Sequence, residues 1–72
     1  LPNTFELILV EDTMGGIRST RKAGEILKNA GFDVDVQTYG LTSGSASKAE
    51  AFEQFDVPYF EDRSALINAN VI

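Results

Sequence analysis

The sequence predicts a small Rossmann-like α/β unit, three layers built in the order β-α-β-α-β-α around a short parallel sheet. Three observations predict it. A nearly continuous apolar run from Phe5 to Val10 stops abruptly at Glu11-Asp12. Helical periodicity follows from Gly16 to Ala30, and Phe32, Val34 and Val36 then alternate with Asp33, Asp35 and Gln37 at the period of two that marks a strand. Strands alternating with helices imply parallel pairing through right-handed crossovers.

Taken in order, Phe5 to Val10 is apolar apart from Glu6, which suits a strand covered on both faces and hence a central position. Ile17, Thr20, Ala23, Gly24, Ile26, Leu27 and Ala30 recur at the spacing of an amphipathic helix, and Gly31 stands where a helix ends on glycine. Gly24 weakens that helix by about 1 kcal/mol relative to alanine, so its benefit is close approach to the sheet. The alternating Phe32–Gln37 strand suits an edge, where charged residues discourage pairing with other sheets. Gly40 to Ser47 reads as a loop, with Ser47 and Glu50 forming a capping box for a helix from Lys48 to Phe55. Val57-Pro58-Tyr59-Phe60 reads as a short third strand, and Asp62 or Ser64 caps a last helix carrying Ala65, Leu66 and Ala69.

The 72 residues make one domain, 1–72, with no internal linker or repeat. A chain this short buries only about 60% of its unfolded surface. Leu1 in place of methionine and the apolar end Ala69-Asn70-Val71-Ile72 read as cuts, so the expectation is a fragment of a larger domain. Eleven acidic against six basic residues give a net charge of −5, a field that repels phosphate backbones and argues against nucleic acid as a partner. Arg18, Arg21, Lys22 and Lys28 form a solvated helix face interrupted by Glu25. Without cysteine or histidine the chain has no disulfide, no thiolate and no usual zinc ligand, leaving only hard, oxygen-bound cations. It has no run near the roughly 20 apolar residues of a membrane span and no signal-peptide pattern, so the expected setting is cytoplasmic. The unfinished sheet edge could pair with another copy.

Chemistry concentrates where the first strand ends. Glu11 and Asp12 occupy the C-terminal end of a buried strand, where open α/β sheets present ligand-binding groups. If the backbone bends at Asp12 both carboxylates reach one site, and such a pair suits Mg²⁺, which keeps several waters. The plain alternative is that Asp12 or Thr13 caps the helix and Glu11 faces solvent, acids being favoured near a helix N-terminus in any case. Thr13 could add a hydroxyl to a metal site, and Gly15-Gly16 could offer N–H groups to a phosphate or simply turn the chain. Ser43, Ser45 and Ser47 lack a histidine to activate them, Lys48 reads as solvated, and Tyr39, Tyr59 and Phe60 read as core.

The stretch Val10-Glu11-Asp12-Thr13-Met14-Gly15-Gly16-Ile17, continuing to Ala23-Gly24, resembles the fourth motif of haloacid dehalogenase-like hydrolases. Gly40-Leu41, Lys48, Val57-Pro58 and Asp62 to Leu66 look like the tail of the same domain, so the likeness spans most of the chain from Phe5 onward. The resemblance implies that Glu11 and Asp12 bind the Mg²⁺ of a phosphatase acting on a small phosphorylated substrate. It also implies that the family's nucleophilic aspartate, Ser/Thr motif and lysine lie upstream of the acidic pair. Too few residues precede that pair here to hold them, so the chain alone is expected to be inactive.

A second resemblance is to response-regulator receiver domains. It rests on Ile8-Leu9-Val10-Glu11-Asp12, Arg18 and Gly31-Phe32-Asp33-Val34, and it would make Asp62 the phosphoacceptor. The loop from Thr13 to Ile17 is long and glycine-rich for that family, and Asp62 lacks its following Met-Pro turn. A third reading is a non-catalytic interaction domain whose acids only cap helices.

Overall fold

Every strand hands the chain to a helix through a polar cap, and every helix closes with the same kind of turn. The computed structural model describes residues 4–72; Leu1, on which the reading of the N-terminal end rests, lies outside them. The elements are β1 (Thr4–Glu11), α1 (Met14–Asn29), β2 (Asp33–Leu41), α2 (Ala46–Gln54), β3 (Tyr59–Phe60) and α3 (Arg63–Asn68).

The helix starts carry side-chain caps. Thr13 Oγ1 accepts from the Gly16 N–H at 3.0 Å, Ser45 Oγ from the Lys48 N–H at 3.3 Å, and Asp62 Oδ1 from the Ala65 N–H at 2.9 Å. At the other ends the N–H groups of Phe32, Val57 and Val71 reach back to the carbonyls of Leu27, Phe52 and Leu66 at 3.2, 2.9 and 3.1 Å. The residue before each has a positive φ: Gly31 at 98°, Asp56 at 54° and Asn70 at 58°. These are Schellman turns, which satisfy carbonyls a helix otherwise leaves orphaned.

The sheet runs β1-β2-β3, with both neighbouring pairs parallel. The fold is therefore the expected small α/β unit with a short parallel sheet, but α1 and α2 share one face of the sheet instead of flanking it as three layers require, and the strand positions also differ from expectation. β1, expected in the centre, is paired only with β2 among the described strands, and β2, expected at the edge, is the middle strand. The charges that suggested an edge, Asp33 and Asp35, lie at the start of β2 on the face away from α1, so they cost the centre of the sheet nothing. The apolar run of β1 is only half-buried from Leu7 to Val10, and Phe5 is 45% exposed.

Val34, Val36, Thr38 and Gly40 share one face of β2, alongside Phe5, Leu7, Leu9 and Glu11 of β1. Both α1 and α2 lie over that face. Gly24 of α1 sits on Val36, Arg21 Nε donates to Thr38 Oγ1 at 3.1 Å, and the Phe52 ring of α2 covers Gly40. Ile17, Phe52 and Val57 form the buried cluster, with Met14 and Tyr59 against it; Phe52 and Tyr59 stack at 6.1 Å between centroids. On the opposite face the rings of Tyr39 and Phe60 meet at 5.8 Å and remain half-buried, as do Ile8 and Val10. α3 packs beside β3 and buries Leu66.

Three element boundaries also move. Gly40-Leu41 belongs to β2, not to the expected loop, because a glycine is needed where the Phe52 ring would lie 2.5 Å from a Cβ. α2 starts at Ala46 under Ser45, so the Ser47–Glu50 capping box does not form; Ser47 is already inside the first turn. Only Tyr59 and Phe60 of the expected third strand are strand, since the Val57 N–H is taken by the turn ending α2 and Pro58 has none to give. Among the described residues no helix is long and apolar enough to cross a membrane.

Candidate functional site

The chain bends at Asp12 and Thr13, between the end of β1 and the first turn of α1. This bend forms one wall of a cleft of about 190 Å³ at the C-terminal end of the sheet. Asp12, Thr13 and Met14 line it from the β1–α1 junction, and Ser47, Lys48, Ala51 and Phe52 line it from α2. Phe52 and Met14 form its apolar floor because both belong to the core below. The polar groups are local products of the helix starts: Thr13 is the N-cap of α1, and Ser47 and Lys48 lie in the first turn of α2.

Glu11 and Asp12 diverge across this bend. Glu11 ends β1 on the face that α1 covers, and its Oε1 accepts from Thr20 Oγ1 at 3.2 Å. Its carboxylate crosses the first turn of α1 where Gly16 leaves room; a Cβ there would stand 2.6 Å from Glu11 Oε2. Asp12 turns outward to the cleft, with its side chain 67% exposed, and Lys48 Nζ donates to its Oδ2 at 3.5 Å. That contact ties the β1–α1 junction to α2.

Gly15 and Gly16 lie in the first turn of α1, not in a loop before it, and the Gly16 N–H is already taken by Thr13. Thr13 therefore acts as the cap, one of the two roles open to it from sequence. Asp62 caps α3 after β3, so β2 separates it from the strand carrying Glu11 and Asp12. Ser45 Oγ and Ser47 Oγ lie 3.1 Å apart at the start of α2.

Among the contacts that escaped the sequence reading are Lys48 with Asp12, Arg21 with Thr38, and the Arg18 guanidinium 5.1 Å from the centre of the Phe55 ring. No spacing rule could find them, since each joins segments brought together only by the parallel crossovers. Arg21, expected on a solvated face, stands four residues after Ile17 and three before Gly24, so its guanidinium turns toward the sheet at Thr38. Among the described residues no three acidic groups stand close enough to enclose a metal.

The bend at Asp12 does not bring the two carboxylates to one site as expected: Asp12 alone opens on the cleft, paired with Lys48, while the Glu11 carboxylate lies under α1 on Thr20 and the Thr13 hydroxyl is taken by the Gly16 N–H. Mg²⁺ is commonly held by one or two carboxylates and completes its shell with water. No family model, curated protein or solved structure matches this chain.

Proposed function

We propose that this chain is the C-terminal part of a Mg²⁺-dependent haloacid dehalogenase-like phosphohydrolase, supplying the metal-binding acids Glu11 and Asp12. The observation that carries the reading is the junction itself. A parallel strand delivers Glu11 and Asp12 to a capped helix start, and the carboxylate of Asp12 opens on a cleft that also holds Lys48 and the Thr13 and Ser47 hydroxyls. Open α/β sheets bind ligands at this end. Asp12 would hold the ion, Glu11 could join it only by leaving Thr20, and the bound metal would neutralise charge on phosphoryl oxygens.

On this reading the nucleophile comes from outside the chain, so the chain alone is inactive. Its substrate is a small phosphorylated molecule, and its setting is cytoplasmic. The side of β1 that has no partner among the described residues then continues the sheet, either with a strand of the parent or, in the isolated chain, with another copy.

The strand order favours this reading over the receiver-like module. Flavodoxin-like receiver sheets place the first strand between the second and third. Here β2 takes that place, and Asp62 is removed from the acidic pair.

Mg²⁺ titration followed by amide NMR tests the metal claim. Shifts confined to residues 10–17 are expected, and an unchanged spectrum at millimolar Mg²⁺ overturns it. The reading frame tests the rest: an Asp-x-Asp motif upstream of Leu1 is expected, and a frame beginning at Leu1 removes the hydrolase.

A further inference from the structure

We draw no further inference here: the strongest candidate, the apolar patch of Ile8, Val10, Tyr39, Leu41 and Phe60 on the sheet face opposite α1 and α2, is a surface of half-buried side chains, and nothing among the described residues shows what covers it.

Discussion

Gly24 of α1 rests directly on Val36 of β2: a Cβ at position 24 would stand 2.6 Å from Val36 Cγ2 and 3.3 Å from Val36 Cβ. Alanine would gain about 1 kcal/mol of helix propensity but would force α1 off the sheet or Val36 off its rotamer, a strain of about 1–3 kcal/mol. Gly24→Ala should therefore lower stability by up to about 2 kcal/mol. Val36→Ala should lower it too, through lost packing. The double variant should be more stable than the sum of the two losses implies. Denaturant unfolding of the four proteins gives the coupling directly.

A second glycine shapes the site instead of the core. At Gly16 a Cβ would meet Glu11 Oε2 at 2.6 Å and Glu11 Cδ at 2.9 Å, the far end of a flexible side chain. Gly16→Ala should change stability by less than about 1 kcal/mol, because the helix gains what the displaced carboxylate loses. The effect should fall on Glu11, whose bond to Thr20 must break or shift. Hydroxyl and amide signals of Thr20 should move in the variant.

These two glycines mark how much could be read in advance. The packing of Gly24 was legible because glycine in a helix is a local cost that needs a local benefit. Gly31 was legible as a helix end, and Thr13 and Asp62 each as one of two candidate caps, for a similar reason, since caps act within a few residues. The order of the strands was not. The apolar run of β1 and the alternating charges of β2 carry the same residue types whichever strand takes the middle, and pairing is set across the chain. Thr38 and Gly40 hid the second half of β2, because the side that α1 and α2 cover there is polar or small. The turn after Glu11 was legible, but not the opposite directions that Glu11 and Asp12 take, nor the arrival of Lys48 from α2.

Tyr59 offers a pH test of the α2–β3 junction. Its hydroxyl donates to Glu53 Oε1. That bond first, then burial and the negative charge of Glu53, raise the phenol above its ordinary value of about 10. Because the folded-state value is the higher one, the stabilisation is fully present below the unfolded value and is lost as pH rises through the folded one. Tyrosinate would then face a carboxylate. Unfolding midpoints should fall above about pH 10 and fall less in Tyr59→Phe. Glu53→Gln should bring the Tyr59 ionisation, read from its ring carbon signals, back toward the ordinary value.

The start of α2 reverses the expected ranking of two serines, with Ser45 and not Ser47 as the cap. Ser45 has extended backbone and accepts from the Lys48 N–H, whereas Ser47 lies within the first turn, with its hydroxyl on Ser45. Loss of an N-cap side chain costs about 0.5–2 kcal/mol, and an exposed first-turn serine tolerates alanine at little cost. Ser45→Ala should therefore destabilise by about 1 kcal/mol, while Ser47→Ala should be neutral or slightly stabilising. Denaturant midpoints check both. The substitutions also bear on the site, because the Ser45 cap fixes the backbone from which Lys48 reaches Asp12. Ser45→Ala should fray the first turn of α2 and loosen that ion pair, which amide exchange at Lys48 and Ala49 would report. If Ser47→Ala proved the more damaging of the two, α2 would start at Lys48 under a Ser47 cap, and Lys48 would move from the third helical position to the first.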